Sequence, residues 1–257
     1  MKLRNFIKLL FICSMHATTP PTQIPAHLYN DFTLNRQVKV KPLYFNDTIQ
    51  GNSSKTYSKE EVYNYLAKIG QKQMFYYGAT DTWLYQALEK HPIKNQMVAV
   101  FGSVCPAYEA ICLFYGGNPI TIEYNKWTTD HPGLSCITPA EYDQNPILFD
   151  CGFSISSFEH DGLGRYGDPI NPNADLETMK KVKKMIKPNG LLFLAVPVSS
   201  DLLAWNAHRI YGKIRLPLLL EGWEIIDFFG ISGLNDPIFN NNDGFIQPIF
   251  VLKNSIQ

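Results

Sequence analysis

The first sustained alternation of apolar and polar positions begins at Ser58. Behind a Ser58/Glu61 capping box, Val62, Tyr65, Leu66 and Ile69 recur at helical spacing, and Gly70 closes the run. A second helix is predicted over Asp81–Lys90, stopping before Pro92. From residue 96 the pattern changes. Met97–Phe101 is an uninterrupted apolar run ending at Gly102, as expected of a strand buried on both faces. Tyr108–Tyr115 reads as a helix closed by Gly116 and Gly117, and Pro119–Ile122 as a second strand ending at Glu123. Leu134–Thr138 is a weak third strand, and Ile147–Asp150, continuing toward Ile155, a stronger fourth. Asp175 is expected to cap an amphipathic helix with Leu176, Met179, Val182, Met185 and Ile186 on its apolar face. Lys180, Lys181, Lys183, Lys184 and Lys187 lie on its outer face, toward the helix C-terminus where the macrodipole favours cations. Pro188-Asn189-Gly190 turns into Leu191–Val196, the most hydrophobic strand. A helix near residues 202–221 and strands over Trp223–Phe228 and Phe245–Lys253 complete the series.

Strands alternating with helices require right-handed crossovers and a doubly wound α/β sheet. The last two strands have only the Gly230–Gly244 loop between them, which predicts an antiparallel hairpin at one edge. The expected architecture is Rossmann-like: a mostly parallel, seven-stranded sheet with a C-terminal antiparallel hairpin. Residues 58–257 form this domain. Residues 18–57, with Pro20, Pro21, Pro25 and Pro42 and no periodicity, read as an arm or linker.

Composition narrows the function. The 257 residues carry 23 basic and 23 acidic side chains, so no basic excess is available to grip nucleic acid. No apolar run reaches the roughly 18 residues of a spanning helix. Cysteines at 13, 105, 112, 136 and 151 include no C-x-x-C pair, which excludes zinc-ribbon and thioredoxin-like sites and leaves them as small buried residues. Residues 1–17 look like a short signal sequence: Lys2 and Arg4 precede an apolar stretch, though Lys8 breaks it and Met15 suits a cleavage site after Ala17 poorly. The sequons Asn46-Asp47-Thr48 and Asn52-Ser53-Ser54 follow in a polar stretch that would tolerate glycans. Passage into the secretory pathway and a cytoplasmic chain with an amphipathic leader both fit.

Ligands of open α/β sheets bind beyond the carboxyl ends of the strands, near the switch in strand order. Four clusters fall at such ends. Gly102 and Ser103 open the turn after the first strand, where a missing side chain lets a nucleotide-type ligand approach the backbone. Only one glycine is present there, and the G-x-G-x-x-G of nicotinamide-dependent oxidoreductases is absent. Glu123, about 20 residues later, is placed to accept hydrogen bonds from a ribose diol. The third cluster, Ser154–Pro169, is the richest. His160 is a general-base candidate, with Glu159 or Asp161 fixing its tautomer. Glu159, Asp161 and Asp168 could also hold a divalent cation, and Arg165 could clamp an anionic group. The fourth is Asn206-Ala207-His208-Arg209-Ile210-Tyr211, whose Asn206 and Arg209 are expected at i, i+3 on a helix, facing one ligand.

Pro188-Asn189-Gly190-Leu191-Leu192-Phe193-Leu194 resembles the lead-in to the fifth strand of class I S-adenosylmethionine-dependent methyltransferases, and Ser156-Ser157-Phe158-Glu159-His160 their segment after strand four. More specifically, His160–Pro169 and Asn206–Tyr211 resemble DUF268, a family prominent in Caenorhabditis nematodes, over about residues 60–253. The resemblance implies S-adenosyl-L-methionine as cofactor, touched by Gly102 and Glu123, with Glu159, His160 and Arg165 near the acceptor. Beside these, Ser103 and Ser156 are further cofactor candidates, Asp161 joins Glu159 and His160 as a catalytic candidate, and Tyr166, Asp168, Asn206, His208 and Arg209 join Arg165 as substrate-binding candidates. The expected reaction is methyl transfer to an oxygen acceptor, with a small molecule or a glycan hydroxyl as substrate. The alternative is a catalytically silent domain of the same fold that binds a glycan or a protein. The single glycine of the first loop departs from the methyltransferase pattern and motivates that alternative.

Overall fold

The structure, a computed structural model, describes residues 19–48, 55–241 and 243–255. The signal-like leader, Cys13 and the Asn52 sequon lie outside them. In chain order the elements are α1 (Tyr29–Phe32), β1 (Lys39–Leu43), β2 (Thr56–Tyr57), α2 (Lys59–Gly70), α3 (Ala79–Lys90), β3 (Met97–Phe101), α4 (Ala107–Phe114), β4 (Asn118–Ile122), β5 (Thr128–Thr129), β6 (Cys136–Ile137), α5 (Pro139–Gln144), β7 (Phe149–Ile155), α6 (Ala174–Met185), β8 (Ile186–Ala195), β9 (Leu202–Asn206), β10 (His208–Ile210), α7 (Arg215–Leu219), β11 (Glu224–Phe229) and β12 (Ile249–Lys253).

The main sheet has seven strands in the order β11-β12-β8-β7-β3-β4-β6. From β8 to β6 neighbours run parallel, whereas β12 is antiparallel to both β8 and β11. The pleat explains why the central strands are apolar throughout. Val98, Val100, Phe153 and Phe193 enter a core beneath α2, α3 and α4, while Ala99, Phe101, Phe149, Leu192 and Leu194 enter one on the α6 and α7 side. The chain leaves β3 for β4 and β6 on one side, then crosses to β7 and β8 on the other. The switch in strand order therefore lies between β3 and β7.

Most predicted elements are present within a residue or two, including the Ser58 cap, whose Oγ accepts the Glu61 N–H at 3.1 Å. Two expectations are corrected. Asp175 does not cap α6. Asn173 holds that position, and Asp175 lies fully buried inside the first turn, where it pairs with Arg215. The helix near 202–221 is reduced to α7. The stretch before it forms the β9–β10 hairpin, because β9 finds a parallel partner in β1, with Lys39 opposite Leu202 and Leu43 opposite Asn206. The arm thereby contributes a third strand to a small second sheet, and Phe32 and Val38 pack with Leu163, Leu203 and Trp205 beneath it. The Trp205 indole N–H and the Tyr44 hydroxyl donate to the carbonyls of Pro21 and Pro20.

The described cysteines 112, 136 and 151 are buried and Cys105 is partly exposed, all with free thiols. Among the described residues no helix is long and apolar enough to cross a membrane.

Candidate active site at the strand switch

Register alone brings the first three clusters together. Phe101 is opposite both Ile122 and Ser154, so Gly102, Glu123 and Ser156 leave neighbouring strands side by side. One Glu123 oxygen accepts the Ser103 N–H at 3.0 Å and the other the Asn125 N–H at 3.1 Å. The carboxylate thus ties the turn after β3 to the end of β4 and keeps lone pairs free. Gly102 has φ +68°, and a Cβ built there would lie 2.3 Å from Ser157 Oγ. Only glycine fits this contact.

Past β7, Ser156 takes the left-handed conformation (φ 54°) and Ser157 leads into a short 3-10 turn over Phe158–His160. The Ser156 hydroxyl donates to Glu159 Oε1 at 2.6 Å, while Oε2 is buried without a partner among the described residues. Burial pushes the Glu159 carboxyl up to about 8, so it is mainly protonated at neutral pH. His160 Nδ1 lies 2.6 Å from the Ala207 carbonyl, which can only accept, so Nδ1 carries the proton. Nε2, 3.7 Å from Glu159 Oε1, is then a free acceptor. Burial holds this imidazole down near 4, neutral across the physiological range.

The tautomer of His160 is therefore set by Ala207, not by Glu159 or Asp161 as expected. Asp161 instead accepts the Thr178 hydroxyl at 2.6 Å, and burial raises it to about 7. Asp168 accepts the N–H groups of Gly164 and Tyr166, folding its own loop. Among the described residues no group of three or more His, Cys, Asp or Glu side chains is placed to hold a metal ion.

The fourth cluster frames the site from behind. Asn206 and Arg209 share a β-hairpin, not a helix, and both are buried. Asn206 accepts the Phe45 N–H and donates to the Leu163 carbonyl. Arg209 donates to the Asp161 carbonyl at 2.6 Å and, at longer range, to those of Glu159, Asn171 and Pro172. Its Nε is 3.7 Å from Asp175, which also accepts from Arg215 and Tyr211. Neither side chain is free to meet a ligand. Arg165 is also partly engaged, since its Nε donates to Asp47 at 2.7 Å and its guanidinium lies between the Phe45 and Tyr166 rings. His208 and Tyr166 border His160 edge-on, with ring centroids 6.2 and 5.6 Å away.

Several contributors had no signal in the sequence. Tyr77, near Ser156 and with its hydroxyl pushed up to about 12 by burial, stacks on Tyr108. Exposed Tyr124 follows Glu123. Phe45 and Asp47 come from the arm, over a hundred residues from the loop that they hold, and no local pattern marks them.

The fold is that of Rossmann-like, class I S-adenosylmethionine-dependent methyltransferases, which are its structural neighbours. The chain is similar to the 1,6-didemethyltoxoflavin-N1-methyltransferase of Burkholderia thailandensis, solved with S-adenosylhomocysteine, at 12% identity and a TM-score of 0.53, covering 76% of this chain and 87% of that one. It is also similar to a methyltransferase of Methanosarcina mazei, at 11% identity and a TM-score of 0.45, over 67% and 99% of the two chains. No curated protein matches it. Residues 95–240 match the family described as "Caenorhabditis protein of unknown function, DUF268", and the chain belongs to that family.

Proposed function

We propose that the protein is an S-adenosylmethionine-dependent methyltransferase acting on a hydroxyl oxygen, with a glycan hydroxyl as the favoured acceptor. The observation that supports this reading best is the Ser103–Glu123 contact at 3.0 Å beside Gly102, with the Ser156–Glu159–His160 group following the neighbouring strand across the switch. The residues fit the adenosyl group at two points. Glu123 is placed for a ribose diol, and Gly102 and Ser103 offer close approach to the backbone. Ser157 stands over Gly102, with its Oγ and Cβ 2.3 and 3.0 Å from where a Gly102 Cβ would lie, so entry of the adenosyl group requires the Ser157 turn to shift as well as the hydroxyl to rotate.

When bound, the cofactor supplies a methyl group already activated as a sulfonium. The protein then has to align the acceptor and take up one proton. Nε2 of His160 is the candidate atom to accept it, its lone pair left free because the Ala207 carbonyl holds Nδ1–H. Protonated Glu159 leaves no adjacent carboxylate to trap that proton, and Ser156 fixes its orientation.

Titration calorimetry with S-adenosylmethionine and S-adenosylhomocysteine tests the reading. Saturable heat that Glu123→Ala abolishes is the expected result, and no heat at millimolar ligand overturns it. The single glycine and the Ser157 hydroxyl over it favour the second reading, a silent domain, and the latter outcome would establish it.

A further inference from the structure

Beside the strand switch, six side chains form an unbroken line of π-systems. From the arm, the Phe45 ring lies 4.5 Å from the Arg165 guanidinium, which lies 4.9 Å from the Tyr166 ring. Tyr166 meets His160 at 5.6 Å, His160 meets His208 at 6.2 Å, and His208 meets Phe245 at 5.5 Å. The line crosses four separate segments of chain, and its aromatic ends and middle face solvent. Phe45 is 38% exposed, Tyr166 45% and Phe245 42%. Exposed aromatic rings of a soluble protein mark a binding surface when they are contiguous, and single ones do not.

Three features select the occupant. The line is electrically neutral: Asp47 pairs with Arg165, and burial holds both histidines below their ordinary range. A neutral strip offers no field to attract an anionic or cationic partner. It is open. Phe45, Tyr166 and Phe245 are each more than a third exposed. A small aromatic substrate would need an enclosed slot, whereas an extended ligand needs a track. Finally, polar groups accompany the rings, among them the Nε2 of His160 and the carboxylate of Asp47. Alternating apolar faces and hydroxyls are the chemistry of a sugar chain.

We infer that the Phe45–Arg165–Tyr166–His160–His208–Phe245 line is a binding track for a neutral oligosaccharide, its sugar rings lying on Phe45, Tyr166 and Phe245. The inference deepens the proposed function, whose acceptor would be a hydroxyl of that chain delivered to His160. Binding to the track does not require the cofactor.

The test is calorimetry of the full chain against a panel of neutral chito-, manno-, galacto- and fuco-oligosaccharides, without S-adenosylmethionine. At least one member is expected to bind saturably. Tyr166→Ala and Phe245→Ala should each weaken it about tenfold or more with unchanged circular dichroism, whereas Phe114→Ala, an exposed ring elsewhere, should not. Affinity should not change between 50 and 500 mM salt. No binding by any member, binding indifferent to both track variants, or binding lost with salt overturns the inference. Oligosaccharide binding without cofactor binding would retain the track and refute methyl transfer. Glu123-dependent cofactor binding without any oligosaccharide binding would do the reverse.

Discussion

Replacing Arg209 with methionine separates a structural role for the Asn206–Tyr211 motif from a ligand-binding one. Methionine keeps the length of the stem and removes every donor. The Asp161 carbonyl would lose a 2.6 Å bond, the carbonyls of Glu159, Asn171 and Pro172 their weaker ones, and Asp175 one of two guanidinium partners. Breaking a buried pair from one side costs about 3–5 kcal/mol. Asp175 keeps Arg215 and Tyr211, so the loss belongs at the lower end, about 3–4 kcal/mol. At roughly 2–4 °C per kcal/mol for a chain of this size, the melting midpoint should fall by about 6–16 °C. Scanning calorimetry reads the midpoint. Hydrogen exchange should show faster opening of the amides at 159–163, the segment that Arg209 pins. A variant that melts within ~2 °C of the parent but no longer binds its ligand would refute the argument, because Arg209 would then have to reach the ligand.

Gly162→Ala should also destabilise the fold, since its Cβ would sit 2.1 Å from the Asn171 carbonyl oxygen at φ +75°. Thermal melts should register a loss of roughly 2 kcal/mol or more. Over Gly102, Ser157→Leu should abolish S-adenosylmethionine binding by calorimetry and Ser157→Gly should preserve or tighten it; equal affinity in both would place the cofactor elsewhere. Stability should also fall as pH rises from about 4 to 8, because the two raised carboxyls outweigh the one depressed imidazole between 4 and 6.5 and act alone above it. Glu159 and Asp161, raised to about 8 and 7, stabilise the folded state fully below their unfolded values near 4 and lose that contribution as pH rises through 7–8. His160, depressed to about 4, contributes above its unfolded value near 6.5 and loses it as pH falls toward 4. Midpoints measured from pH 4 to 9 should trace this curve, and Glu159→Gln should flatten its alkaline limb.

The main sheet was legible because its strands are buried on both faces and read as continuous apolar runs between glycines. The grouping of Gly102, Glu123 and Ser156, proposed above to meet the cofactor, was legible for a related reason: parallel register puts them at adjacent strand ends. Where the reading failed, the deciding partner was remote. Leu202–Asn206 is apolar enough to pass for a helix, and only its pairing with Lys39–Leu43 makes it a strand. Asp175 stands where caps stand, yet Arg209 and Arg215 draw it inside. The density of polar residues in Ser154–Pro169 pointed to chemistry, but much of it holds the loop in shape: Asp168 binds its own backbone, Asp161 binds Thr178, and the glycines permit close contacts.

The position of β12 has a consequence for how the molecule is made. Although last in sequence among the described strands, it is an interior strand, inserted between β8 and β11. During synthesis, β8 keeps a bare row of backbone donors and acceptors until residues 249–253 have left the ribosome. Domains are completed from the N-terminus onward at about 5–20 residues per second. A chain truncated before residue 249 would therefore keep an open, strongly apolar edge along β8, a substrate for chaperones and proteases.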